Sequence, residues 1–149
     1  WWMMQSNKAW NPSNGGKAYA QQKQEADTPL KELINNSDSV KQCILPDSTI
    51  VLLEPNARLS IPYSFGTQQS REVYLSGKAF FDVAHRLNQP FYIYANEVVT
   101  RVLGTSFQIF ADPTNGKVDV KVRSGKVQVF ERNANFSNKA INGVVLTAN

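Results

Sequence analysis

The sequence predicts an all-β fold of layered antiparallel sheets, either a β-sandwich or a short β-solenoid-like stack, with one short N-terminal helix. In the stretch from Phe91 to Phe110, apolar side chains alternate with polar ones at Phe91, Ile93 and Ala95, and the alternation resumes at Phe107. A spacing of two makes one face of a pleated strand apolar. From residue 40 onward, glycine, proline and asparagine separate short apolar runs, as is typical of turn-rich β proteins.

The chain divides into a membrane-proximal linker, residues 1–40, and a β domain, residues 41–149. Residues 5–26 are rich in Gln, Asn, Lys and Gly, so they bury too little apolar surface to offset the entropy lost on ordering. Trp1 and Trp2 open the chain, and tryptophans are enriched at the membrane–water interface. They mark either the outer end of a membrane span or a disordered chain end.

A short helix is predicted near residues 28–36. Thr28 is a suitable N-cap and Pro29 suits the first helical position. Its apolar stripe would consist of Leu30, Leu33 and Ile34. Such spacing places the stripe on one face of a helix, which we expect to pack against an edge of the β domain.

The remaining pattern predicts strands joined by tight turns. The predicted strands are 50–53, 58–61, 71–75, 78–83, 91–95, 97–102, 107–110, 117–123, 126–130 and 141–146. Ser76-Gly77 is predicted to join two of them as a hairpin, and residues 112–116 another pair. Ser124-Gly125 is expected to turn the chain back again.

Two glycine-containing features carry further expectations. Gly104 lies where the chain must bend, so we expect a left-handed or bulged backbone there. The Ser76-Gly77-Lys78 sequence also returns as Ser124-Gly125-Lys126. A repeated strand–turn–strand unit suggests layers that lie over each other.

Charge and composition narrow the possible functions. The formal net charge is +4, and the basic residues, Arg71 and Arg101 among them, fall on different predicted strands. We interpret them as a dispersed, solvated surface, without a nucleic-acid partner. The longest apolar runs are too short to cross a membrane.

No motif for catalysis or for a cofactor is found. Cys43 is the single cysteine and His85 the single histidine; we interpret them as a small buried hydrophobic residue and a surface loop residue. A metal site needs several converging ligands. The acidic residues Asp82, Glu97, Asp112 and Asp119 occupy solvent-facing strand or turn positions. We therefore expect no enzyme activity, metal or cofactor, and no direct small-molecule substrate.

Five separated motifs occur in order along the chain. They are Leu45-Pro46-Asp47-Ser48-Thr49, Arg71 to Val83, Pro90-Phe91, Val102-Leu103-Gly104-Thr105-Ser106-Phe107 and Ser124-Gly125-Lys126-Val127. Together they resemble the periplasmic domain of the FecR family of anti-sigma factors, in its Bacteroidetes-like form, over residues 44–149. Ser48, Glu54 and Lys78 depart from the family's usual glycine, asparagine and glutamate at turn and surface positions.

The resemblance implies the periplasmic part of a single-pass inner-membrane regulator. Its partners would be the signalling domain of a TonB-dependent outer-membrane transporter and, through a cytoplasmic region, an extracytoplasmic-function sigma factor. The motif residues would act as fold determinants, with the glycines at turns and the phenylalanines in the core. These residues are Leu45, Pro46, Asp47, Gly77, Phe81, Val83, Phe91, Gly104, Thr105, Phe107 and Gly125.

The alternative is a carbohydrate-binding β-sandwich. Tyr92, Tyr94 and Trp10 would then provide stacking platforms for sugar rings. For the regulator, signal transfer could use a partner strand that adds to an open sheet edge.

Overall fold

A computed structural model describes residues 29–132 and 144–148, and in this part of the chain all regular structure is β. The predicted all-β class is confirmed. The eleven strands are β1 (Leu30–Ile34), β2 (Lys41–Ile44), β3 (Ile50–Leu53), β4 (Arg58–Pro62), β5 (Arg71–Asp82), β6 (Phe91–Ala95), β7 (Val98–Val102), β8 (Ser106–Ala111), β9 (Val118–Ser124), β10 (Lys126–Glu131) and β11 (Val144–Thr147).

The strands form two sheets that share β5. Sheet A has the order β1-β4-β5-β6-β7-β10-β11, and sheet B the order β2-β3-β5-β8-β9. The first half of β5 pairs with β4 and β6, and its second half with β3 and β8. All pairs are antiparallel except β5–β6, which is parallel, so the sheets are not purely antiparallel as predicted.

The inward faces of both sheets enclose one hydrophobic core. Alternate residues of each central strand contribute to it, as the burial of every second side chain along β5, β6 and β8 shows. The ring centroids of Phe81 and Phe107 lie 5.4 Å apart in a stacked pair, and Phe81 meets Phe91 edge-on at 6.1 Å. Valine, isoleucine and leucine side chains from both sheets fill the space around these rings.

The helix predicted near residues 28–36 is wrong, because Leu30–Ile34 form strand β1. β1 pairs antiparallel with β4, with Leu33 opposite Leu59, and Leu33 packs against the core. An isolated helix of this length is marginal in water, whereas pairing with β4 extends an existing sheet. Sheet A thus includes residues N-terminal to residue 41, the predicted start of the β domain.

The Ser76-Gly77 hairpin is also wrong, because β5 runs without interruption from Arg71 to Asp82. Gly77 has φ of 95°, and β5 passes from sheet A to sheet B at this residue. A Cβ atom here would lie 2.9 Å from Ala57 Cα. Glycine is therefore required both for the backbone angle and for the close approach.

The repeated Ser-Gly-Lys sequence marks a second passage between the sheets. Gly125 has φ of 89° and separates β9, which pairs in sheet B, from β10, which pairs in sheet A. The predicted turn back at Ser124-Gly125 is thus a corner between layers and not a hairpin. Both copies of the motif place glycine where the chain changes sheet.

One other turn occurs as the sequence predicts. Residues 112–116 connect β8 to β9, which pair antiparallel, so this predicted hairpin is confirmed. Asp112 Oδ1 accepts hydrogen bonds from Thr114 N at 2.9 Å and Thr114 Oγ1 at 2.6 Å, and these bonds lower the pKa of Asp112. The predicted linker at residues 5–26 and positions 141–143 of the last predicted strand lie outside the described residues.

Gly104 serves a different purpose from the one predicted. Its φ is not in the positive region where Gly66, Gly77, Gly116 and Gly125 lie. A Cβ atom at Gly104 would meet His85 Cα at 2.6 Å and His85 Nδ1 at 2.5 Å. The glycine is needed because the segment after β7 passes directly against the loop after β5.

Candidate functional site

Asp47 and Arg71 form a fully buried ion pair. Arg71 Nη1 lies 2.8 Å from Asp47 Oδ2, and both side chains are 0% exposed. Asp47 Oδ1 also accepts from Thr49 N at 3.0 Å, and Oδ2 accepts from Thr49 Oγ1 at 2.7 Å. A buried carboxylate is tolerated when its charge is paired and its lone pairs are used.

The rest of the Arg71 guanidinium binds carbonyl groups of two loops. Nη1 donates to Ala84 O at 2.7 Å, Nε to Gln89 O at 2.8 Å, and Nη2 to Leu103 O at 3.2 Å. The guanidinium also lies over the Phe91 ring, 5.3 Å from its centroid. Arg71 therefore ties the loops at this end of the sandwich to the turn that contains Asp47.

The prediction that Arg71 is one of the solvated basic residues is wrong, because its side chain is buried. A signal was available, because Arg71 shares the inward-facing alternation of Val73 and Leu75 along β5. A charged residue in register with core positions indicates a buried partner. The sequence offered no means of selecting Asp47 over the other acidic residues.

Asn35 is a second buried polar residue that sequence reasoning missed. Its Nδ2 donates to Leu53 O and Ser39 O, both at 2.8 Å, and its Oδ1 accepts from Ser37 Oγ at 2.7 Å. It is 0% exposed. These bonds join the segment after β1 to strand β3, so one end of the space between β1 and β2 is closed by hydrogen bonds.

The other end of that space is an open groove, here called the β1–β2 groove. Its volume is about 490 Å³. Its lining residues are Lys31, Leu33, Cys43, Ile44, Leu45, Pro46, Ile61, Pro62, Tyr63 and Phe65. β1 is at one edge of sheet A and β2 at one edge of sheet B. The groove is therefore the gap between the two sheets where neither edge strand covers the core.

The rim of the groove is apolar and exposed. Ile44 is 67% exposed and Tyr63 is 71% exposed, in contrast to Leu45 at 3% and Phe65 at 6%. Cys43 is half-buried in the groove wall, and burial raises its pKa, opposed by the nearby ammonium groups of Lys41 and Lys31. The expectation of a small buried thiol is thus only partly met.

A second surface, on the outer face of sheet A, carries tyrosines. Tyr74 and Tyr94 stack with centroids 5.2 Å apart, and Tyr92 and Tyr94 stack at 6.5 Å. Burial, with a smaller effect of Glu72, raises the pKa of Tyr94 far above the ordinary value. A shallow hollow of about 620 Å³ beside them is lined by Gln69, Ser70, Glu72, Asn88, Pro90, Tyr92 and Tyr94.

The remaining motif residues lie in the core or at contacts between loops. Phe81, Phe91 and Phe107 are 0% exposed. Thr105 O accepts from Val83 N at 2.9 Å, and Thr105 Oγ1 donates to Lys126 O at 2.8 Å. Of the family-motif positions, Leu45 and Pro46 also line the β1–β2 groove.

His85 is exposed beside Gly104. Within residues 29–132 and 144–148, no three His, Cys, Asp or Glu residues are grouped so as to hold a metal ion. No helix among them is long and apolar enough to cross a bilayer.

Comparison with known proteins agrees with this architecture. The family model described as "FecR protein" matches residues 32–128. The chain belongs to the FecR family. The match begins within β1, in keeping with the place of that strand in sheet A.

Two crystal structures from Parabacteroides distasonis, each assigned to an anti-sigma factor, are similar to this FecR-family chain. One, at 2.50 Å resolution, has a TM-score of 0.70 and 30% identity over 81% of this chain. The other, at 1.65 Å, has a TM-score of 0.69 and 31% identity over 80%. The chain spans about half of each, 53% and 52%. No curated protein matches the sequence.

Proposed function

We propose that this chain is the periplasmic signal-sensing domain of a transmembrane anti-sigma regulator. It would relay the state of a TonB-dependent outer-membrane transporter to an extracytoplasmic-function sigma factor. The observation that carries the proposal is the FecR family match across residues 32–128, supported by the likeness to two structures assigned to an anti-sigma factor.

The geometry of the domain is consistent with a role in protein contact. The buried charges are used to hold loops together, whereas the exposed apolar side chains Ile44 and Tyr63 border the open groove. Exposed apolar patches beside polar surface are typical of interaction sites. The domain would thus act by binding another protein.

A reporter experiment tests this function in the native bacterium. The full-length regulator that contains this chain is deleted and then restored with or without residues 29–148. Transcription from a promoter of the cognate sigma factor is measured with and without the transporter's inducing ligand. We expect the response to the inducer to be lost when these residues are missing. A normal induced response without them would contradict the proposal.

A binding experiment tests the transporter as partner. The purified chain is titrated with the purified signalling domain of the transporter by isothermal titration calorimetry. We expect saturable binding, and no heat with the signalling domain of an unrelated transporter. Absence of binding at high micromolar concentrations would remove this partner.

The second candidate function is carbohydrate binding, which the hollow on sheet A favours. Tyr92 and Tyr94 lie there beside Glu72 and Asn88, and aromatic side chains with a few polar groups are typical of small-ligand sites. Trp10, the third predicted stacking residue, lies outside the described residues. Glycan-array binding that is lost in Tyr92→Ala would support this function, and a blank array would remove it.

A further inference from the structure

We propose that the β1–β2 groove binds an extended strand of a partner protein, one that carries apolar side chains and a carboxylate. This rests on the proposed function, because it assigns the surface through which the sensing domain meets its partner. Three features of the groove lead to this occupant: its floor, its backbone edge and its charge.

The floor of the groove is continuous with the hydrophobic core. Leu45, Ile61 and Phe65 line it and are almost fully buried, while Ile44 and Tyr63 extend from the rim into solvent. An apolar side chain placed between them would remove apolar area from water on both partners, which favours association. The shape and chemistry therefore favour an apolar insertion.

The edge of β2 offers backbone groups to a second strand. Leu45 N donates to Thr49 O at 2.8 Å, in register with the β2–β3 pairing of Cys43 with Val51. Antiparallel ladders alternate, so Gln42 and Ile44 direct their N–H and C=O groups to the other side. No described strand pairs with that side of β2. A peptide backbone matches such an edge, and a small apolar molecule does not.

The charge at the groove is positive. Lys31 is the only charged side chain in its lining among the described residues. Lys41 lies nearby and its Nζ donates to Ile34 O at 3.3 Å. The described lining residues include no carboxylate. A carboxylate on the incoming strand would therefore place a negative charge near the Lys31 ammonium group. This favours an acidic strand over a second copy of this chain, whose formal charge is +4.

At the opposite side of the sandwich, the edge strands of the two sheets touch each other. There β9 of sheet B and β11 of sheet A are in contact. The groove is thus a property of the β1 and β2 edges and not a general feature of the two-layer arrangement. Residues on β11 provide matched controls, since Val145 is 55% exposed on the other edge strand of sheet A.

The first test uses calorimetric titration of the 149-residue chain with the transporter signalling domain. We expect Ile44→Asp and Lys31→Glu to weaken binding by about tenfold or more, the scale of residues at the centre of an interface. Val145→Asp and Lys121→Glu, which make the same changes elsewhere, should stay within about twofold of wild type. Equal losses in the controls would contradict the assignment.

The second test addresses the backbone edge. Gln42→Pro removes an outward N–H but leaves the β2–β3 hydrogen bonds in place. We expect an unchanged melting temperature and a loss of binding of about tenfold. Wild-type affinity in a folded Gln42→Pro variant would contradict strand addition at β2. If this variant does not fold, the Ile44→Asp result decides the matter.

The third test uses Cys43, the single cysteine, which lines the groove. We expect the signalling domain to slow alkylation of Cys43 by N-ethylmaleimide severalfold, in proportion to the occupied fraction.

Binding of wild type together with unprotected Cys43 and unaffected groove variants would overturn this inference and leave the proposed function intact. Absence of any wild-type binding would instead count against the proposed function. A concentration-dependent dimer abolished by Ile44→Asp would assign the groove to a second copy and overturn the acidic strand.

Discussion

At residue scale, Arg71 is surrounded by acceptors drawn from three separate parts of the chain. Its guanidinium donates to the Asp47 carboxylate and to the carbonyls of Ala84, Gln89 and Leu103. None of these partners is a neighbour in sequence, so the side chain fixes their relative positions. Arg71 also stabilises the folded state, because without it the Asp47 carboxylate would be buried with no counter-charge.

We expect Arg71→Met to destabilise the fold by about 3 to 5 kcal/mol, because it leaves a buried carboxylate unpaired. The Asp47→Asn/Arg71→Met double variant should lose less than the sum of the two single variants. Urea unfolding followed by circular dichroism measures this. Arg86→Met, at an exposed arginine, is the control and should change stability by less than about 0.5 kcal/mol. Additive losses would show that the pair is not coupled.

Two buried threonines allow a comparison of a satisfied hydroxyl with an unsatisfied one. Thr100 Oγ1 has no hydrogen-bond partner, whereas Thr105 Oγ1 donates to Lys126 O at 2.8 Å. We expect Thr100→Val to be neutral or stabilising, and Thr105→Val to destabilise by about 1 to 2 kcal/mol. Thermal unfolding of both variants measures this difference. An equal loss in both would contradict the assignment.

The phenol of Tyr94 makes stability depend on pH in alkali. Its pKa in the folded state is raised above the ordinary value of 10.0, first by burial and then by Glu72. As pH rises through that ordinary value, the unfolded chain loses the proton while the folded chain keeps it, so stability falls. We expect the decline above pH 10 to be shallower in Tyr94→Phe, measured by urea unfolding at a series of pH values. Parallel curves would contradict this.

At the scale of elements, the glycines decide how strands become layers. Gly77 and Gly125 occupy two of the places where the chain changes sheet, and both have positive φ. Gly104 acts through contact instead, because its backbone touches His85. Substitutions at Gly77 and Gly125 should therefore strain the backbone, whereas a substitution at Gly104 should destabilise the fold through steric overlap with His85.

We expect Gly104→Ala to lower the melting temperature by roughly 5 to 15 °C, because its Cβ would overlap the backbone of His85 and force one segment away from the other. Gly66→Ala is the control: its φ is positive but nothing lies within 4 Å of the added Cβ, so only backbone strain of about 1 kcal/mol applies. Differential scanning calorimetry measures both. A smaller shift in Gly104→Ala than in the control would contradict the contact argument.

The same elements show what the sequence can predict. Alternation located most strands, because burial of one face is a local property of the pattern. It failed at Leu30–Ile34, since the spacing of Leu30, Leu33 and Ile34 suits a helix and only the distant β4 selects a strand. It failed at Ser76-Gly77 because a glycine with positive φ serves a corner as well as a hairpin. The groove was beyond prediction, since it depends on which strands end up at the edges.

At the scale of the whole molecule, one strand and one core join the two sheets. β5 gives its first half to sheet A and its second half to sheet B, and side chains of both sheets meet in a single cluster. Sheets that share a strand and a core cannot lose packing separately. The described part of the domain should therefore unfold as one cooperative unit.

Phe107 provides the test, because it lies on β8 of sheet B and stacks on Phe81 of the shared strand. We expect Phe107→Leu to reduce the opening free energy of amides in β6 and β7 of sheet A by the same amount as in β8, about 1 kcal/mol. Native-state hydrogen exchange measures this residue by residue. A change confined to β8 and β9 would show that sheet B opens alone. The β1–β2 groove lies between the edges of both sheets. If the two sheets unfold together, a partner strand bound in the groove would therefore raise the unfolding free energy of both.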